Sequence, residues 1–420
     1  MLSQKQTKRN ITLLIILCWI VYTCSYIGKL NYAANINQVI SYYSVSHAEA
    51  GLVSTLFFFS YGIGQVVNGI WCKKYNIKWV VFASVMLSAA SNFLIAVTES
   101  FEIIKYLWVV NGFSLSMLWP SLIRLLSETL PSESMAKASV TMGTTTAVGT
   151  FFIYGISALF AAFTSSFKIV FYIAAAVLLA VSVIWIFTID RTASRIPREM
   201  PSENVNVNTT EKPASVKHIG ALLTLMICTL CVFGIITNFV KDGLTTWVPS
   251  ILKEGYDLGD SLSIVLTMAL PVVTIFGNLF AVKVHTAVPD FVYQCAIMFI
   301  VSGGIIGLLI AVLGTGGFVL PLICFAVVCF LVGSCNSLIT SIFPLFMKGR
   351  VNSGLIAGVL NGFCYVGSTV SSYGLGAIAD NHGWSGVFAV LLAVCLFSVI
   401  CTVAYGIAGT IIKKRGNENG

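Results

Sequence analysis

Ile11–Tyr43 reads ITLLIILCWIVYTCSYIGKLNYAANINQVISYY, 33 residues that carry a single charge, Lys29. A helix that crosses the hydrocarbon core of a bilayer needs about 20 apolar residues, so this stretch is a membrane span with one cation inside it. Lys5, Lys8 and Arg9 precede it in the manner of a secretion signal. The apolar run, however, continues well past the roughly 7–15 residues of a signal core and has no small-residue cleavage site. The stretch is retained as a span.

Stretches of similar character follow to the end of the chain. They lie near residues 11–39, 50–72, 78–98, 103–127, 137–163 and 168–189, then near 219–248, 260–283, 290–313, 318–345, 352–379 and 384–412. The 420 residues are 57% hydrophobic and 10% charged, with a mean hydropathy of +0.92, where a soluble domain carries about 25% charged residues. Water is not the main solvent for such a chain. The expected fold class is an all-α membrane protein with twelve transmembrane helices in two six-helix bundles. Between the two sets, Arg191–Lys217 is rich in Pro, Ser, Thr, Asn and charge and has no apolar periodicity. The expected domains are therefore a bundle over 1–190, a cytoplasmic linker over 191–217 and a second bundle over 218–420.

The net charge of +8 does not indicate nucleic acid, because the basic residues lie in short loops and form no stripe. They report topology instead, since Lys and Arg flanking spans are retained in the cytoplasm. With the N-terminus inside, 19 basic residues fall on the inner side, among them Lys73, Lys74, Lys78, Arg124, Lys137, Lys283, Lys348 and Arg350. The outer loops hold Lys105, Lys168 and Lys253 alone. This predicts a multi-pass protein of the plasma (inner) membrane with both termini cytoplasmic, and it puts the Asn-x-Thr triplets at Asn10 and Asn208 out of reach of glycosylation.

The two halves also look alike. Each has its only intramembrane lysine in its first span, Lys29 and Lys241, and a Gly-amide pair in its second, Gly64-Gln65 and Gly277-Asn278, separated from the lysine by 35 and 36 residues. Internal symmetry of this kind is expected of transporters built from two parallel six-span halves with the substrate site near the bilayer midplane.

Lys29 lies 18 residues from one end of its stretch and 14 from the other, or roughly 20 Å from either surface, too far for its stem to reach water. A lysine at the bilayer centre costs at least ~2.5–3.5 kcal/mol, so it needs a reason. A salt bridge within the bundle is one, but of the 16 carboxylates only Asp242 lies well inside a span. Two lysines against one carboxylate leave a positive surplus, which makes Lys29 and Lys241 candidate ligands for an anion. Asp242 follows Lys241 directly, and adjacent helical residues point about 100° apart, so its neutralisation of Lys241 is expected to be partial. Tyr22, Tyr26 and Lys29 share one helix face, as do Asn238, Lys241 and Thr245. Both sets put hydrogen-bonding groups beside a cation, the alternative for the tyrosines being aromatic packing.

The remaining chemistry is sparse. His47, His218, His285 and His382 fall at loops or span ends, which leaves Asp242 as the only buried proton relay and disfavours proton-driven symport. Most of the 12 cysteines sit in apolar runs and read as small core residues, and the lone Cys228-x-x-Cys231 is a poor zinc site. Glycines in Gly354-x3-Gly358-x3-Gly362 suit close packing or bending. No phosphate loop, HExxH or nucleophile elbow is present. Neither an enzyme, a cofactor nor a metal is expected, and the expected partners are a small anionic substrate and the lipid bilayer, with no nucleic acid and with the protein a monomer.

Four segments carry a family likeness: Tyr26-Ile27-Gly28-Lys29-Leu30-Asn31-Tyr32 in the first span, Gly112 through Trp119-Pro120 to Arg124 in the fourth, Lys241-x-Gly243 through Trp247-x-Pro249 to Leu252-Lys253-Glu254 in the seventh, and Gly358-x3-Gly362-x2-Tyr365-x-Gly367 in the eleventh. The chain resembles the major facilitator superfamily and, within it, the organophosphate:phosphate antiporter family of glycerol-3-phosphate and hexose-phosphate transporters. That resemblance implies the major facilitator fold, alternating access and anion exchange. It matches the family's two phosphate-binding arginines to Lys29 and Lys241 and a fifth-span histidine to Thr146, and it adds Tyr365 to the candidate site. A second-span lysine is matched by Gln65 and a loop aspartate by Lys73. Lysine is a compact point charge where arginine offers a planar fork, so a carboxylate or uronate taken up by cation- or proton-coupled symport is the alternative to an organophosphate. The resembled family also includes a membrane sensor of hexose phosphate, which makes a transporter-like sensor the reading from a different class.

Overall fold

The computed structural model describes residues 4–71, 74–164, 166–196, 220–313, 317–347 and 353–418. The described chain is helical from end to end: α1 Gln4–Ala34, α2 Ile36–Tyr43, α3 His47–Trp71, α4 Ile77–Val97, α5 Phe101–Ser116, α6 Leu118–Thr129, α7 Ser132–Gly143, α8 Thr145–Phe163 and α9 Lys168–Ala193 in the first half. The second half holds α10 Ala221–Tyr256, α11 Asp260–Thr267, α12 Ala269–Ala287, α13 Phe291–Val312, α14 Val319–Ser337, a π-helical turn Leu338–Ile342, α15 Phe343–Phe346 and α16 Ser353–Glu418. Lys73, Lys348, Arg350 and the greater part of the expected linker, from residue 197 on, lie outside the described residues.

Among the described residues ten segments are long and apolar enough to cross a membrane. The last of them, Ile356–Lys414, is 59 residues long, about 88 Å of helix, and turns at Gly383, whose φ of 64° and ψ of −173° no other residue adopts without strain. It therefore supplies two spans. The eighth span is divided into α11 and α12 and completes the expected twelve. Elsewhere the helices depart from the apolar runs for local reasons. α1 passes into α2 at Asn35, whose side-chain amide donates to the Asn31 carbonyl at 2.7 Å and shares it with the Asn35 backbone N–H at 3.1 Å. α10 runs on through Pro249, which removes one N–H without ending the helix, so Lys253 and Glu254 stand in its last turn and not in a loop.

The residues divide into two units. The first takes the described residues through Ser44, those from Leu56 to Ile196, and Asp260–Met268; the second takes Val45–Thr55, those from Gly220 to Gly259, and those from Ala269 on. Each unit thus includes a short piece from the other half of the sequence. Inside the first, Trp108, Trp185, Phe167 and Phe171 are fully buried, and inside the second Trp247, Phe233, Phe299 and Phe388 are. Large apolar side chains also face outward, Phe187 at 72% exposure and Ile400 at 65%, as suits a lipid-facing exterior. Small and polar residues mediate the helix contacts, with Ser88, Ser182, Ser302 and Ser398 wholly inaccessible.

The internal repeat is visible at its glycines. A Cβ on Gly64 would lie 2.0 Å from Ser116 Oγ, and one on Gly277 would lie 2.7 Å from the Phe330 carbonyl and 2.8 Å from Ser334 Oγ. In each half the second span thus meets the fourth at a glycine against a serine. The stripe Gly358–Gly362 does not play this part, since a Cβ at either position would meet nothing within 4 Å. Polar ties join loop ends of like parity. Lys78 pairs with Asp190, and Glu99 accepts from Lys168 at 2.5 Å and from Tyr42 at 2.6 Å. These two donors, led by the Lys168 ammonium, hold the Glu99 carboxyl below its ordinary range.

Candidate functional site

The first unit builds its cationic group on α1. Lys29 Nζ stands over the ring of Tyr61 at 4.2 Å, with the rings of Tyr26 at 5.5 Å and Phe57 at 6.0 Å. Electron-rich ring faces attract a cation by about 0.5–2 kcal/mol, more when water is excluded, which offsets part of the cost of carrying the charge so deep. Tyr26 also accepts a hydrogen bond from Thr146 Oγ1 at 2.9 Å. Tyr22 packs edge-on against Tyr26 at 5.4 Å and at a tilt of 42° against Trp119 at 4.8 Å. Lys29, Tyr26, Tyr22 and Thr146 are therefore brought together. The tyrosines pack as aromatic neighbours, and the Tyr26 ring lies 5.5 Å from the cation with its hydroxyl bonded to Thr146.

The backbone beneath Lys29 is fixed by buried amides. The Gly28 carbonyl accepts from Asn111 at 2.8 Å and from Asn92 at 3.4 Å. Ser88 donates to Asn111 at 2.6 Å, Asn31 donates to Asn92 at 2.7 Å, and Asn35 donates to Ser157 at 2.9 Å. Asn31, Asn92 and Asn111 are completely inaccessible. A hydrogen-bonded network of this kind gives α1 one rotational setting, and with it the direction in which Lys29 leaves the helix.

The second unit builds its group on α10. Lys241 Nζ is 3.3 Å from Asp242 Oδ1, with a quarter of the lysine side chain and 17% of the aspartate exposed. Adjacent residues on a helix do pair here because the lysine stem is long enough to bend across the turn. Asp242 Oδ2 accepts from Ser368 Oγ at 2.5 Å, Asn238 donates to Ser368 at 3.1 Å, and Asn336 donates to Asn238 at 2.8 Å. The chain of bonds crosses from α10 to α16 and to α14, just before the π-helical turn. Such turns recur at functional sites because the extra residue redirects side chains. Tyr365 lies on α16 three residues before Ser368, and its carbonyl accepts from Thr369. Thr245, on the predicted face, bonds the Lys241 carbonyl at 2.8 Å and turns its hydroxyl back onto the helix.

Several of these residues were not singled out by sequence. Tyr61, Phe57, Ser368, Asn336, Asn92 and Asn111 come from helices far from the lysines in the chain. A weak signal exists for the amides, because an Asn in the middle of an apolar run must find a partner. Nothing in the sequence says which.

The family model of the Major Facilitator Superfamily matches residues 18–372. The Membrane sensor protein UhpC of Escherichia coli is 27% identical over 120 residues, 29% of this chain and 27% of that protein, so the likeness spans about a quarter of its length. A Probable hexose phosphate transport protein of Chlamydia trachomatis is 19% identical over 404 residues, 90% of this chain and 87% of that protein. Among solved structures, a bacterial homolog of the human lysosomal transporter Spinster, inward-facing and occupied, superposes with a TM-score of 0.74 over 95% of this chain and 97% of that one at 14% identity. The nucleoside transporter NupG gives 0.68 over 96% and 99% at 15% identity. At such identities the two structures speak for the fold.

Proposed function

The chain belongs to the Major Facilitator Superfamily of membrane transporters, and we propose that it carries a small organic anion of the organophosphate class, recognised by Lys29 in the first unit and Lys241 in the second. The observation that carries this reading is the pair of lysines at matching repeat positions, each set deep in its half among hydrogen-bonding side chains. The Probable hexose phosphate transport protein of Chlamydia trachomatis, similar over nine-tenths of this chain, supports the substrate class. Lys29, Tyr26 and Thr146 offer a cation and hydroxyls in the first unit, and Lys241, Asn238 and Tyr365 offer a cation, an amide and a hydroxyl in the second. An uncompensated cation opposes movement of a binding site through the membrane; a bound anion neutralises it and lets the carrier turn over, which yields exchange.

A thermal-shift screen of purified protein tests the substrate class. Glucose 6-phosphate, inorganic phosphate and glucuronate, each at 100 times its dissociation constant, add about 2.7 kcal/mol to a state that binds them. Stabilisation by neutral sugars and by none of the anions would refute the reading. The second reading is proton-coupled symport of an organic acid, favoured by the pairing of Asp242 with Lys241 and Ser368; uptake driven by an imposed proton gradient into liposomes without internal anion distinguishes it. A sensor role, suggested by the partial likeness to UhpC, predicts saturable binding without flux.

The same reading sets both termini and the linker in the cytoplasm of a plasma-membrane protein, on the strength of the 19 to 3 charge bias. An impermeant thiol reagent applied to intact cells is expected to leave a cysteine introduced at Ser202 unlabelled and to label it after permeabilisation. Labelling before permeabilisation would invert the topology.

A further inference from the structure

The N-terminus of α3 is held by a carboxylate from the far end of the chain. Asp380, on α16, accepts the backbone N–H of His47 through Oδ1 at 3.0 Å and that of Ala48 through Oδ2 at 2.8 Å. The imidazole of His47 in turn lies between two acids: Nδ1 is 2.7 Å from Asp380 Oδ1, and Nε2 is 2.9 Å from Glu254 Oε1 in the last turn of α10. Glu254 also accepts the indole N–H of Trp384 at 3.0 Å. The rings of Trp247 and Trp384 stand 5.6 and 5.4 Å from the imidazole and leave 18% of its side chain exposed. All of these residues belong to the second unit. The helices meet closely there, since a Cβ on Gly51 would lie 2.3 Å from the Ser372 carbonyl and one on Gly376 would lie 2.5 Å from that of His47.

A count of donors tells what this cluster holds. An ionised carboxylate only accepts, and a neutral imidazole has one donor nitrogen and one acceptor. With a carboxylate at each ring nitrogen, both nitrogens must donate, which is the imidazolium. If Glu254 bears the hydrogen instead and gives it to Nε2, the cluster still holds the same additional proton. Released into water, an imidazole titrates near pH 6.5 and gives that proton up at neutral pH. The charged groups at the ring nitrogens are Asp380 from α16 and Glu254 from α10, while Glu49 on α3 itself accepts the Ser46 N–H at 2.9 Å.

We propose that His47, Asp380 and Glu254 form a proton-binding clasp that holds Val45–Thr55 in the second unit when protonated and releases it when the proton leaves. Residues 47, 254 and 380 follow the first, seventh and eleventh spans, so all three lie at the membrane face opposite the N-terminus. Because the engaged clasp binds the proton, low pH at that face stabilises it and rising pH loosens it. Carriers of this superfamily undo helix contacts at one face in each turnover. The clasp makes that step respond to the pH of one compartment, whatever the substrate, and it does so without an acid inside the span.

Amide hydrogen exchange of the full-length protein in nanodiscs tests this, with exchange corrected for the intrinsic effect of pH. One linked proton requires the opening constant of the 45–55 segment to rise about tenfold per pH unit from about pH 6.5 up to the raised pKa of the engaged clasp, while peptides from α4 and α9 show no such dependence. His47→Gln abolishes the slope. A segment whose corrected protection is flat from pH 6 to 8.5, or a slope that survives in His47→Gln protein with normal α4 and α9 protection, overturns the proposal. If the variant does not fold, 15N-histidine NMR of the wild type decides: imidazolium shifts for one histidine beyond pH 7.5 support the clasp, and four neutral histidines at that pH with the segment still protected refute it.

Discussion

Lys29→Gln lowers the affinity for an anionic substrate about ten- to a hundredfold and leaves the protein folded. The substitution removes one charge-assisted contact to the anion, about 1.5–3 kcal/mol. Its effect on stability comes from two opposing terms. Loss of the cation over the rings of Tyr61 and Tyr26 costs about 0.5–2 kcal/mol, while removal of a charge from the middle of a span returns at least ~2.5–3.5 kcal/mol. The melting temperature is therefore expected to hold or rise. Lys29→Arg separates substrate chemistries: its planar fork suits a phosphate and is crowded by a compact carboxylate. Binding by thermal shift and exchange in proteoliposomes, with glucose 6-phosphate and inorganic phosphate as probes, measure both. Unchanged affinity and exchange in well-folded Lys29→Gln protein would take Lys29 out of the site and remove the main reason to call the substrate an anion.

Lys241 behaves differently because it has a second task. Lys241→Gln leaves Asp242, 17% exposed, with Ser368 as its remaining described partner. Breaking a fully buried ion pair from one side costs about 3–5 kcal/mol, and the residual exposure of both side chains makes the loss here smaller. The variant is expected to melt several degrees lower and to bind the anion more weakly. Lys241→Gln with Asp242→Asn restores the melting temperature, because an amide accepts from Ser368 without a charge to compensate, but it does not restore binding. Recovery of both in the double variant would show that Lys241 serves only Asp242. Loss of binding with no change in melting in the single variant would show the reverse, a lysine whose pairing with Asp242 contributes nothing to stability.

Twelve spans, the likeness of the two halves and the two deep lysines were all legible along the chain, because each rests on a property that a local window carries. An apolar run of about 20 residues can form only a helix in lipid, where every backbone polar group must be satisfied within the segment. A lone lysine in such a run is conspicuous for the same reason. The side chains around those lysines were not legible. Tyr61 over Lys29, Asn111 on the Gly28 carbonyl and Ser368 on Asp242 lie between 32 and 126 residues away in sequence, by their numbering, and which helix faces which is a matter of packing between elements. His47 is the clearest instance. By sequence it is a histidine at the end of a span, without a role. Tertiary structure alone brings Glu254 and Asp380 to its two ring nitrogens, because a hydrogen bond over 333 residues is set by how helices pack and leaves no periodic trace in the chain that makes it.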